Sequence, residues 1–362
     1  MKIEVTFTHR ENNFTLLRLF AALAVLYGHS YDLSNEVFGG KGEDPISHFL
    51  ITFWGESLPS LSIDLFFVTS GFLVCASYIQ RESLIAFIEA RMLRILPGLI
   101  VAVLFCIFLV GPFVTTETLA NYFLSPSTWS YFKHNTLLII GVQFDLPGVF
   151  TNNPYPISVN GSLWTLPVEV KMYVGVAILG GLSLLKDERS FNLLGIILCL
   201  MYAQSATDRF IIANEPRNAH LSLLFMLGAF FYVNRSNLRL GFTPLGALGL
   251  LVFLTKEYNF SLFIKSLGFS YFVLILALHP KLKLPSIDRW EDISYGLYIY
   301  AFPVQQSLAY FIPQVRPMSM FVLSTIITVV LAILSWRLVE KPALKLKNKI
   351  RYGRHFDDVR AR

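Results

Sequence analysis

Phe14-Thr-Leu-Leu-Arg18-Leu-Phe-Ala-Ala-Leu-Ala-Val-Leu-Tyr-Gly-His29-Ser-Tyr31 is an apolar run long enough to cross a bilayer, with an arginine and a histidine eleven positions apart. On a helix, eleven residues rise roughly 16 Å and make about three turns, so both side chains fall on nearly one face. Ionisable groups in such a run are costly and usually functional. A purely anchoring pattern, Arg18 snorkelling to one interface and His29 resting at the other, would look the same. No small-residue cleavage site follows the run, which therefore reads as a retained membrane anchor.

Working outward, hydrophobic residues make up 54% of the 362 and charged residues 15%, with a mean hydropathy of +0.56. That balance is a membrane protein's. Apolar runs at 14–31, 60–80, 95–114, 162–185, 190–206, 219–234, 242–255, 261–279, 293–313 and 318–338 predict an all-α, polytopic transmembrane helix bundle of about ten membrane helices. The fifth to seventh runs are the shortest or are broken by glycine. We read residues 1–342 as one integral-membrane domain and 343–362 as a basic cytoplasmic tail.

With the N-terminus in the cytoplasm, that side receives 21 Lys and Arg and the other side 6, Arg18, Lys171 and Lys265 lying in or at the ends of spans. The asymmetry predicts a multi-pass membrane protein with both termini cytoplasmic. Much of the net charge of +6 sits in the tail, against anionic lipid headgroups. No nucleic-acid-binding motif accompanies it, so a nucleic-acid partner is excluded. Cys75, Cys106 and Cys199 lie in apolar segments without metal-type spacing, which leaves neither a disulfide framework nor a metal site.

Orientation turns sequence position into depth. His29 falls near the outer end of the first helix, Asp64 near the outer end of the second, and Glu169 about 10 Å into the fourth. A carboxylate can hold an imidazole in one tautomer, as base catalysis at a hydroxyl requires, so His29, Asp64 and Glu169 are candidate catalytic groups. Each acid could equally serve only to satisfy polar groups in the bundle, and Lys171 could pair with either. On the inner side, Ser83–Pro97 carries apolar residues at Leu84, Ile88, Met92 and Ile95 and reads as an interfacial helix leading into the third span. Its Arg91 and Arg94 point the same way, and two guanidinium forks suit a phosphorylated ligand; ordinary flanking charges would also sit there. Arg18 faces the same side. Two outer loops, 32–59 and 115–161, are long enough to be functional.

Together these segments resemble the acyltransferase family 3 membrane proteins, which O-acylate cell-surface glycans. Arg18 and His29 match the family's Arg-x10-His. Ile63-Asp64-Leu-Phe-Phe-Val-Thr-Ser70-Gly71-Phe72-Leu73 is similar to its V-D-x-F-F-x-x-S-G-F-L, and Arg91-Met-Leu-Arg94-Ile-Leu-Pro97 to its R-x-x-R-I-x-P. Ser162-Leu-Trp164 followed by Glu169 and Tyr173 resembles its S-L-W-x4-E-x3-Y. Ile293-Ser294-Tyr295-Gly296-Leu-Tyr298 and Val339-Glu340-Lys341-Pro342 resemble its closing motifs.

The resemblance implies an acyl-CoA donor, acetyl-CoA foremost, and as acceptor a hydroxyl of a surface glycan or lipid-linked saccharide. It implies Arg18, Arg91 and Arg94 on the CoA phosphates, and His29 as general base or transient acyl carrier beside Asp64 or Glu169. Ser70, Trp164 and Tyr173 are the expected substrate contacts. The chain departs from the family at Ala301, where a histidine is common, and at Pro167 and Lys171, where residues are usually small and amide-bearing. Many relatives carry an additional extracytoplasmic esterase-like domain that this chain lacks; a separate extracytoplasmic transferase would complete the reaction, or the bundle would suffice alone. The competing reading is a transporter or flippase for an anionic lipid or glycan. It accounts for the buried charges but consumes no acyl-CoA, and it favours paired halves that the sequence does not display.

Overall fold

The structure, a computed structural model, describes residues 2–8, 12–34, 43–81, 83–204, 215–258, 260–284 and 292–346. The basic residues Arg10, Lys41, Arg209 and Arg289 lie outside that set, as does the tail beyond Leu346. Among the described residues the fold is all-helical, and the only extended pairings are single bridges, Lys2 with Arg239 and Asp145 with Ser158.

The helices run in chain order as α1 (Ile3–Thr8), α2 (Phe14–Asp32), α3 (Pro45–Trp54), α4 (Leu58–Arg81) and α5 (Leu84–Phe105). A π turn, Cys106–Val110, carries α5 into α6 (Gly111–Val114), and α7 (Leu119–Leu124) and α8 (Pro126–Leu137) follow. A 3₁₀ turn at Gly161–Thr165 opens α9 (Leu166–Gly181), before α10 (Glu188–Gln204), α11 (Pro216–Val233), α12 (Phe242–Leu254) and α13 (Ser261–Leu278). The chain closes with α14 (Ser294–Phe311) and α15 (Pro317–Ser335), which a π turn extends through Glu340. Each of the ten apolar runs thus contains a helix, and several runs outlast theirs by a few residues, 182–185 after α9 being turns. Among the described residues six helical stretches are long and apolar enough to cross a bilayer, namely Phe14–Asp32, Leu58–Arg81, Leu84–Val114, Gly161–Gly181, Ser261–Leu278 and Pro317–Leu346. Several helices also begin where their sequence directs: Pro45, Pro126, Pro216 and Pro317 occupy first-turn positions, where the missing N–H has no partner to lose.

The helix expected over Ser83–Pro97 runs without a break into the third span, as a single helical stretch, Leu84–Val114, of 31 residues. Pro97 sits inside α5 without ending it. Of its apolar stripe, Leu84, Ile88 and Met92 are exposed and Ile95 is buried. At about 46 Å the stretch exceeds a ~30 Å hydrocarbon core, and one end must project beyond it.

The chain divides into two compact units. The first comprises Met1–Ala21, Ile63–Phe87 and Val168–Trp290, and the second Ala22–Ser62, Ile88–Pro167 and Glu291–Arg362. In the first unit α4 and α11 approach backbone to backbone. A Cβ on Gly71 would lie 2.0 Å from the Phe225 carbonyl oxygen, and one on Gly228 would lie 2.1 Å from that of Val68. Small residues at such crossings let helices pack closely where no hydrophobic effect drives them together. In the second unit the loop after α8 is ordered by its own polar groups. Asn153 Nδ2 donates to Gln306 Oε1 at 2.7 Å, Gln306 Nε2 donates to the carbonyls of Tyr155 and Ser158, and Asn160 Nδ2 donates to Ile299 O. These bonds hold Ile157 at φ +71°, a costly conformation for a β-branched residue.

Candidate active site

In the second unit, His29 occupies the last turn of α2. Its Nδ1 lies 3.4 Å from Asp32 Oδ2, three residues on along the same helix. The Phe302 ring, from α14, meets the imidazole nearly edge to face at 5.4 Å, and Tyr155 in turn meets Phe302 at 5.9 Å. Gly28, beside His29, permits the start of α4 to pack in: a Cβ there would fall 2.2 Å from Pro59 Cγ. The imidazole therefore rests against one aromatic ring, itself backed by Tyr155, and is touched by one carboxylate. With Nδ1 directed at Asp32, Nε2 is the nitrogen left for a substrate.

The same unit gathers several of the motif segments. Arg94 forms an ion pair with Asp292, and its guanidinium lies 5.6 Å from the centre of the Trp336 ring. Tyr295 donates to the Ile95 carbonyl at 2.9 Å, and Gly98 leaves room for both Tyr295 and the buried Glu340, which accepts from Ser335 at 2.9 Å. Arg91 is half-buried one turn earlier on α5. Tyr298 bonds the Ser162 carbonyl at 2.7 Å and the Thr165 hydroxyl at 2.8 Å, which fixes the turn that carries half-buried Trp164.

In the first unit, α4 presents two faces. Phe66 and Ser70 are four residues apart and share one. On that face the Arg18 guanidinium lies 6.0 Å from the centre of the Phe66 ring, and Ser70 donates to Glu169 Oε1 at 3.0 Å. Tyr173 donates to the same oxygen at 2.5 Å, so one carboxylate oxygen ties α4 to α9. Ser70, Glu169 and Tyr173, drawn from two distant motifs, are one hydrogen-bonded cluster. Asp64 looks the other way, toward α11. It accepts from Arg217 at 2.8 Å and meets His220 Nε2 at 3.1 Å, while His220 Nδ1 is buried with no hydrogen-bond partner among the described residues. Lys171 is exposed and pairs with neither Asp64 nor Glu169.

Asp32, Asp292, Arg217 and His220 were not singled out from the sequence. Three of them carried a signal there: Asp32 stands three residues after His29, and Arg217-x-x-His220 repeats the spacing of Arg91-x-x-Arg94. Asp292 had no such signal. Among the described residues no group of three or more His, Cys, Asp or Glu could hold a metal ion.

A family model described as an acyltransferase domain matches residues 11–337, and the chain belongs to that family. It is a multi-pass membrane protein of an acyltransferase family. Among known proteins it is similar to an O-acetyl transferase of Shigella phage Sf6, with 28% identity over 349 residues, 92% of this chain and 96% of the relative. It is also similar to nodulation protein 10 of Rhizobium leguminosarum bv. viciae, with 28% identity over 374 residues, 94% of this chain and 95% of the relative. No solved structure matches.

Proposed function

We propose that the protein transfers an acyl group, acetyl first, from acyl-CoA to a hydroxyl of a surface glycan or lipid-linked saccharide. The observation that carries the reading is the His29–Asp32 pair, set against the Phe302 ring and on the same helix as Arg18. In the step we propose, the acceptor oxygen attacks the thioester carbonyl as His29 Nε2 takes the hydroxyl proton. The C–S bond breaks, the ester C–O bond forms, and the proton passes to the departing CoA thiolate. Asp32 fixes the imidazole and offsets its transient positive charge. His29 could instead hold the acyl group on a ring nitrogen between two such steps, with the same overall balance.

Arg18, Arg91 and Arg94 are the proposed contacts of the donor's phosphates, with the guanidinium forks suited to phosphate oxygens. Phosphate at Arg94 would compete with Asp292. Glu169, Ser70, Tyr173 and Trp164 are the proposed substrate contacts, and Asp64 would act indirectly, through Arg217 and His220. The excess of basic residues on one side supports a bacterial plasma-membrane protein with cytoplasmic termini, lipid headgroups against its basic surface, and a donor arriving from the cytoplasm. A separate extracytoplasmic transferase is the one protein partner the proposal admits.

Labelled acetyl-CoA supplied to membranes with and without the protein tests the reading. Label entering a saccharide fraction only when the protein is present supports it, whereas intact acetyl-CoA alongside translocated, unmodified saccharide favours a transporter.

A further inference from the structure

We propose that Gln305 is a positioning residue for His29; the inference rests on the reading of His29 as the group that handles the acceptor's proton. Gln305 is fully buried on α14. Its Nε2 donates to the Leu26 carbonyl and to the Ser30 hydroxyl, each at 2.8 Å. Those two acceptors flank His29 on α2, one three residues before it and one immediately after. The opposite amide orientation would bring Oε1 against the Leu26 carbonyl oxygen. Ser30 also uses its own proton on Leu26 O, at 2.8 Å, so toward Gln305 it can only accept. Both amide protons are thus spent on the one turn that carries the imidazole.

Phe302 stands one turn before Gln305 on the same face of α14 and holds the His29 ring edge to face. Phe302 limits how the ring tilts, and Gln305 fixes the backbone beneath it. The clamp matters because His29 lies in the last turn of α2, which is otherwise held at its end by the Leu33 N–H donating to the His29 carbonyl at 2.9 Å. The 3.4 Å approach of His29 to Asp32 spans that turn. Gln305 Oε1, meanwhile, is buried with no hydrogen-bond partner among the described residues. A residue present only to fill space would be methionine or leucine, which strand no acceptor.

A mutant cycle on the full chain in membranes, with two readouts, tests the proposal. Gln305→Met keeps the volume and removes both donors, and Asp32→Asn removes the carboxylate. The first readout is carbethoxylation of His29 by diethyl pyrocarbonate, followed by mass spectrometry. A ring nitrogen gains an ethoxycarbonyl group as ethanol and carbon dioxide leave, so no transferase activity is needed. The second is CoA release from acetyl-CoA, with the membranes supplying the acceptor. Gln305→Met is expected to slow carbethoxylation of His29 about fivefold and to lower kcat about tenfold, leaving the acetyl-CoA KM within about twofold. Added to Asp32→Asn it should cost little more, because the alignment it serves is already lost. Ser30→Ala, which removes one of the two acceptors, should show part of the same effect and covers the case in which Gln305→Met inserts poorly. Equal, additive losses in both backgrounds, or an unchanged His29 reaction rate, would overturn the proposal. Wild-type membranes that release no CoA while the His29 cycle is non-additive would instead refute the transferase reading and leave the positioning intact.

Discussion

Two aspartates in this protein each meet a histidine, and they do so in opposite surroundings. Asp64 is enclosed, its side chain 4% exposed, and it shares its carboxylate between Arg217 and a His220 that is itself 12% exposed. Asp32 is 45% exposed, beside a His29 that is 23% exposed, and its approach is longer. The first arrangement spends its charge on holding α4 to α11, since a buried carboxylate left without partners is heavily penalised. The second keeps an imidazole nitrogen available to solvent or substrate. The same pair of residue types is thus enclosed between two helices in one unit and open at the end of a single helix in the other.

The comparison breaks most visibly at His29. His29→Ala should cut acyl transfer by about a hundredfold or more while the protein remains inserted at normal abundance, measured as label transfer per mole of membrane protein. Transfer above about a tenth of the wild-type rate would remove His29 from the mechanism. At the enclosed pair, Asp64→Ala should act on stability, by about 3–5 kcal/mol, because Arg217 and His220 lose the carboxylate they share. It should show as a lowered melting temperature in detergent and as reduced membrane abundance; a normally stable but inactive Asp64→Ala protein would reverse the assignment of architecture and chemistry.

Smaller effects sharpen the contrast. Asp32→Asn keeps the shape at the open pair and removes the charge, and should lower kcat about tenfold with the melting temperature nearly unchanged. A stability loss like that of Asp64→Ala would mean that the exposed pair, too, is structural. The smallest change is expected on α5, where Arg94 is already paired with Asp292. If donor phosphate competes for that guanidinium, Asp292→Asn should lower the acetyl-CoA KM about threefold and leave kcat alone. A raised KM would show instead that Asp292 holds Arg94 in place for the donor.

The helices were legible because apolar length is a one-dimensional property: each of the ten runs contains a helix, and Phe14–Asp32 begins at the first residue of its run. What the sequence could not supply was azimuth. Asp64, Glu169 and His29 share a depth by residue count, yet depth does not say which way a side chain leaves its helix. Ser70 and Glu169 meet on one side of α4, whereas Asp64, six residues before Ser70, leaves from the other toward α11. The continuity of Leu84–Val114 was also hidden, because Pro97 ordinarily marks a break. The loop after α8 was readable as long, but its attachment to α14 depends on Asn153, Asn160 and Gln306, whose partners are far off in sequence.

The central claim is that an acyl group leaves a cytoplasmic donor and reaches a saccharide hydroxyl through His29. Sealed vesicles of known orientation, given labelled acetyl-CoA on one face at a time, test it most directly. Labelled saccharide is expected only when donor is supplied to the cytoplasmic face, with the label on the opposite face and absent from His29→Ala vesicles. Unconsumed acetyl-CoA together with saccharide that crosses the membrane unmodified would contradict it.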